Sequence, residues 1–259
     1  MTINKESRDT QIIKLSASSV KTYDQCPKKY FFNYIERAPR KQWPHFDLGN
    51  LCHRSLEFFH LENMKNPLPK KQWAKLMGNC FAKARQEFPN MDDSMLQEAK
   101  DLLTDYLISL KKTGLTNVKG VETSFNFHIS ENILIRGFLD RVDLMKDNRY
   151  HIVDYKTSKN DKYLDPFQLQ IYGLWLKTEH PEVESFKGSY VLLRQKSRLK
   201  SYDFNMDDVE RVRRELVQYA EKIRYDDVWT PIPTILCNWC DFQDICPAAK
   251  KDKLEEETW

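Results

Sequence analysis

The 259-residue sequence has no run approaching the ~18 consecutive apolar residues of a membrane-spanning helix. Its opening stretch, MTINKESRDTQIIKLSASS, lacks the apolar stretch of a signal peptide, so the cytoplasm is the expected location. No G-x-x-x-x-G-K-[ST] phosphate-binding loop occurs, which excludes a recognisable helicase motor within the chain. No internal repeat and no Gly- or Ser-rich linker is present, and a single domain over residues 1–259 is expected. Excess charge is also scarce. Against 41 Lys and Arg stand 38 Asp and Glu, and a net charge of +3 does not by itself argue for nucleic acid. The basic clusters RAPRK and RQKSRLK read first as solvated surface.

What is present suffices for a core, at 41% hydrophobic residues. SASSVKTYDQCPKKYFFNYI offers serine caps before an apolar helical pattern that Pro27 should interrupt, giving two short helices. DLGNLCHRSLEFFHLENMK keeps helical spacing, and two further helical segments follow at about 69–88 and 92–112. After Gly114, VKGVETSFNFHI, ILIRGFLDRVDLM and YHIVDYKTS show the short alternation and β-branched content of a strand meander. PFQLQIYGLWLKTE returns to helical period, FKGSYVLLRQKSRLKSYDFN reads as a hairpin, and MDDVERVRRELVQYAEKIR as an amphipathic helix with Asp capping. The expected architecture is an α/β sheet covered by helices, with a mainly helical N-terminal half.

Within GFLDRVDLMKDNRYHIVDYKTSK, Asp154 and Lys156 stand two apart and project to one face of a strand. Opposed residues of an antiparallel pair have a constant index sum, so a turn centred on Asp147 sets Asp140 opposite Asp154. A two-residue turn would send the two carboxylates to opposite faces. An odd-length loop or a compensating bulge in MKDNR is therefore expected, with Arg141 and Asp143 pointing elsewhere as structural residues. The plain alternative is a polar strand face with a surface ion pair worth under ~1 kcal/mol. Against it, Asp140 and Asp154 lie among apolar residues, where convergent carboxylates call for a cation. Oxygen ligands suit Mg²⁺ or Mn²⁺, and a nearby ammonium can orient water and stabilise developing negative charge.

GFLDRVDL followed by IVDYKTS resembles the G-h-h-D-x-h-D and h-h-D-x-K motifs of RecB-like nucleases in the PD-(D/E)xK superfamily, without the namesake Pro. GNLCHRSLE resembles that family's G-x-x-x-H-x-x-L-E helix, with Gly49 and His53 in place, and QLQIY its Q-x-x-x-Y motif, with Gln168 and Tyr172 four apart on one helical face. The ordered set covers about residues 47–175. The resemblance implies a restriction-endonuclease-like mixed central sheet flanked by helices. It implies that His53, Asp140, Asp154 and the carbonyl of Tyr155 bind the divalent ion, that Lys156 assists the hydrolytic water, and that Gln168 and Tyr172 contact DNA or the lysine. The reaction would be phosphodiester hydrolysis, by an exonuclease or an end- or flap-processing enzyme on single-stranded DNA. Partners consistent with it are a helicase, a recombination protein or, for an adaptation nuclease, an integrase. A non-catalytic DNA- or partner-binding module is the rival reading, and retention of Asp140, Asp154 and Lys156 together argues against it. Arg194, Lys196, Arg198 and Lys200, with Tyr23, Tyr30 and Trp43, are candidates to line a strand channel.

Six cysteines in a chain expected in the cytoplasm are read for metal rather than disulfides. Cys52 and Cys80 sit in helical patterns as small buried apolar residues. Cys237, Cys240 and Cys246 with the distant Cys26 make four thiolates, enough to close a zinc or an iron-sulfur site. Zinc modules usually draw ligands in local pairs, which a one-plus-three arrangement is not. That arrangement resembles the iron-sulfur staple of RecB-like nucleases, including the AddB nuclease domain and the CRISPR-associated adaptation nucleases. The resemblance implies a [4Fe-4S] cluster tying the N-terminal helices to the C-terminal segment.

Overall fold

Ser16 caps the first helix: its Oγ accepts from the Ser19 N–H at 3.1 Å while its own N–H donates to Ser19 Oγ at 2.8 Å. In the computed structural model, which describes residues 9–41, 44–114, 117–162 and 164–248, helix α1 spans Ala17–Gln25 and stops at Cys26, extended at φ −165°. Pro27 forces the stop, because its ring disfavours helical geometry in the residue before it. The same proline, at the first position where no N–H is missed, opens α2, Pro27–Tyr30. A π-helical turn, Phe31–Ile35, prolongs it.

Three longer helices follow: α3 (Pro44–Lys65), α4 (Trp73–Arg85) and α5 (Asp93–Thr113). Asp92 caps α5 by accepting from the Met95 N–H at 2.8 Å, and Gly114 ends it at φ 82°, where other residues would be strained. Their apolar stripes bury Leu51, Leu56, Phe59, Trp73, Phe81 and Leu103 in one core with Val153 and Tyr155.

Six strands form a mixed sheet: β1 (Ile13–Leu15), β2 (Asn117–Ser130), β3 (Ile133–Leu144), β4 (Tyr150–Lys156), β5 (Ser185–Leu192) and β6 (Arg198–Asn205). The order is β1-β3-β4-β5-β6, with β2 also pairing β3, so the expected meander β2-β3-β4 is present. β4 and β5 run parallel, a pairing that needs a crossover, and α6 (Phe167–Glu179) lies between them in sequence. β1 pairs parallel to β3 over three residues, too short a stretch for alternation to betray it. After β6, α7 spans Met206–Tyr225. Its cap is reciprocal, Asn205 Oδ1 accepting from the Asp208 N–H and Asp208 from the Asn205 N–H, so Asn205 rather than an aspartate is the capping residue.

Arg141 pairs with Val153, Val142 with Ile152, Asp143 with His151 and Leu144 with Tyr150. This index sum is the one expected, and the connecting loop has odd length. It is closed by Met145 N–H to Arg149 O at 2.8 Å, with Asn148 left-handed at φ 62°.

The chain divides into two compact units. One comprises the described residues of Met1–Gln42, Asn126–Gly137 and Arg213–Trp259, so the N- and C-terminal segments share a unit; the other comprises those of Trp43–Phe125 and Phe138–Val212.

Candidate metal centre

Alternation along β3 and β4 sorts the hairpin's polar residues. Val153 and Tyr155 face the α3–α5 core, whereas Asp154 faces α6, where Gln168 Nε2 donates to its Oδ1 at 2.8 Å. Lys156 Nζ lies 2.6 Å from Asp154 Oδ2 and donates to Gln168 Oε1 at 2.9 Å. Gln168 thus holds acid and ammonium together through the two ends of one amide. Tyr172, one helical turn on, donates to Asp154 Oδ1 at 3.4 Å and accepts from Gln168 Nε2.

Asp140 closes the other side. Its Oδ2 accepts from the Tyr155 N–H at 2.7 Å and lies 3.4 Å from His53 Nδ1. A residue's N–H and C=O leave an extended strand by the same edge, so the Tyr155 carbonyl leaves on the Asp140 side. His53 comes from α3, and Gly49, one turn earlier, lets that helix approach the end of β4: a Cβ there would sit 3.0 Å from Thr157 Oγ1. The seven residues named from the sequence, His53, Asp140, Asp154, Tyr155, Lys156, Gln168 and Tyr172, are therefore brought together.

One neighbour was not anticipated. Ligand atoms of His53, Asp140 and Glu122 all lie within 4.8 Å of one another. Glu122 reads in the sequence as one polar residue of an alternating strand. Its backbone is left-handed, φ 45°, a local departure from strand geometry that alternation cannot reveal.

Burial and neighbouring charge spread the pKa values of these groups. Burial opposes a charge on His53, yet the Asp140 carboxylate more than offsets it and raises the imidazole pKa to about 9. Asp140 is held below the usual carboxylate range although burial works against it, because His53 and the Tyr155 N–H favour its anion. Asp154 is raised, by burial first and by Asp140 in addition, despite Lys156. Burial, then Asp140, raises Glu122 to about 7. Carboxylates crowded beside one imidazole form a donor set that fits a hard divalent cation.

Arg141 and Asp143 turn away, as expected. Arg141 Nη1 donates to Tyr106 Oη at 2.7 Å and Tyr155 Oη at 2.8 Å, and its Nε lies 3.0 Å from Asp143 Oδ1. This buried pair anchors Tyr155 from behind the site. The strand-channel candidates are differently engaged. Arg194 pairs with Glu98 at 2.7 Å, Arg198 with Asp161 at 2.8 Å, and Lys200 donates to the Leu164 carbonyl at 2.9 Å. Tyr30 is buried and stacks on Trp229, and the half-buried Tyr23 packs edge-on against both rings and donates to Asp226. Trp43 lies outside the described residues.

Cys26, Cys237, Cys240 and Cys246 line one cavity, walled by Phe32, Pro231, Pro233 and Phe242. All four thiols are free of disulfides. Cys26 Sγ accepts from the Ile232 N–H at 3.5 Å and Cys237 Sγ from the Thr234 N–H at 3.4 Å, contacts suited to thiolate charge. Four convergent thiols under an apolar wall fit a thiolate-ligated group. Cys52 and Cys80 are buried elsewhere, as expected, and burial raises their thiols to about 12 and about 11.

A family model described as the PD-(D/E)XK nuclease superfamily matches residues 14–247. A subunit of an ATP-dependent helicase/deoxyribonuclease from Streptococcus pyogenes is 25% identical over 214 residues, covering 76% of this chain and 20% of that protein. Its counterpart from Streptococcus agalactiae is 27% identical over 157 residues, 56% of this chain and 14% of that protein. The chain thus spans a fifth or less of the length of these relatives. In fold it is similar to a protein from Eubacterium rectale provisionally described as an exonuclease, with a TM-score of 0.54 at 9% identity over 100% of this chain and 96% of the other.

Proposed function

This chain belongs to the PD-(D/E)XK nuclease superfamily, and from that premise we propose that it is a divalent-metal-dependent deoxyribonuclease, an exonuclease or end-processing enzyme acting on single-stranded DNA. The observation that carries the reading is the convergence of Asp140, Asp154 and Lys156 with Gln168 and His53 at one end of β4. His53, Asp140, Asp154 and the Tyr155 carbonyl would hold Mg²⁺ or Mn²⁺. Such an ion, when bound, polarises a phosphoryl oxygen and makes water a better nucleophile. Lys156 orients the attacking water and stabilises negative charge as it develops, and Gln168 keeps the ammonium aimed. Tyr172 fixes Gln168 from one turn away.

The cysteines would hold a [4Fe-4S] cluster that staples Cys26 to the C-terminal segment. Support comes from the common cavity and the one-plus-three spacing. The relatives' description as helicase/deoxyribonuclease subunits supports DNA as substrate and a helicase as a partner that would deliver it. An oligonucleotide labelled at each end in turn, single-stranded or duplex, incubated with Mg²⁺, Mn²⁺ or EDTA, tests the reading. Metal-dependent shortening from an end of the single strand is expected; binding without cleavage in any metal would favour a non-catalytic module.

A further inference from the structure

Beyond the ligands carried by the motifs, we infer that Glu122 is a direct ligand of the divalent cation, completing a His53–Asp140–Glu122 set. The inference rests on the metal-centre reading above. Three donor atoms within 4.8 Å of one another, an imidazole nitrogen and two carboxylate oxygens, can converge on one ion with little movement. Glu122 is half-buried, and its carboxylate takes part in no hydrogen bond or ion pair among the described residues. The nearby Arg54 is already committed, to Glu57 and to Glu87 at 2.9 Å. A carboxylate drawn out of water beside a second carboxylate costs free energy that a shared cation would offset. Asp154, by contrast, is engaged by Lys156 and Gln168, so the two acids of the hairpin stand in different company: Asp140 with Glu122 and His53, Asp154 with the ammonium.

The test is calorimetric titration of the full chain with Mn²⁺ and, separately, Cd²⁺, in wild type, Glu122→Gln, Glu122→Cys and Asp140→Asn; the wild-type titration supplies the cadmium uptake of the cysteines already present. Glu122→Gln should weaken Mn²⁺ binding by roughly tenfold or more. Glu122→Cys should bind Mn²⁺ equally weakly but hold Cd²⁺ at that centre roughly tenfold more tightly than wild type, because a thiolate ligand selects the softer ion. A carboxylate acting only through space would give no such inversion. The inference is overturned if Glu122→Gln binds Mn²⁺ within about twofold of wild type, or if Glu122→Cys holds Cd²⁺ no more tightly than wild type. The cysteine variant decides the matter should the glutamine variant not fold. If Asp140→Asn loses Mn²⁺ and Glu122→Gln retains it, this inference alone fails; if wild type binds no Mn²⁺, the metal-centre reading fails with it.

Discussion

Lys156 and Gln168 have separable duties at the scale of single residues. Removing the ammonium with Lys156→Ala should lower the single-turnover cleavage rate by ~10²–10⁴-fold at saturating protein. Gln168→Ala should cost less, since Lys156 keeps its ion pair with Asp154. A second residue-scale prediction concerns pH. Burial lowers the His151 pKa to about 4 and, with Arg141 beside it, drives His60 well below its ordinary value. The unfolded chain takes up these protons as pH falls below about 6.5, whereas the folded chain resists until about 4 in the case of His151. Stability is therefore present above the unfolded pKa and lost on acidification, by up to about 3 kcal/mol for His151. Denaturant midpoints measured between those pH values should fall less steeply in His151→Gln than in wild type.

The elements place the site through close approaches. Gly173 in α6 lies so near β5 that a Cβ would overlap the Phe186 ring, and the helix carrying Gln168 and Tyr172 depends on that fit. Gly173→Ala should destabilise the protein by about 1–3 kcal/mol, read from chemical denaturation. Much at this scale was legible from sequence. The hairpin register followed from alternation and loop parity, and the break between α1 and α2 from Pro27. β1 escaped because three residues carry no period, and the turn Phe31–Ile35 because a π-helical turn has the composition of an ordinary helix. Glu122 escaped for another reason: its aim depends on one left-handed residue within β2, which no spacing encodes. The partners of the basic row were also out of reach of spacing: Arg194 and Arg198 pair with acids distant in the chain, Glu98 and Asp161.

For the whole molecule, four cysteines from segments separated by most of the chain line one cavity within one compact unit. If they hold a [4Fe-4S] cluster, anaerobically purified protein should absorb broadly near ~400 nm. Cys26→Ser should bleach that band and lower the melting temperature, because a lost metal link removes folding free energy. Stoichiometric zinc in a colourless protein would contradict the cluster. As proposed, Asp140, Asp154 and Lys156 form a metal-dependent hydrolytic site. Single-turnover cleavage of an end-labelled single strand in Mn²⁺, compared between wild type and Lys156→Ala at saturating protein, tests it most directly. The expected result is cleavage that EDTA abolishes and that the substitution reduces at least ~100-fold; equal rates in the two proteins would contradict the account.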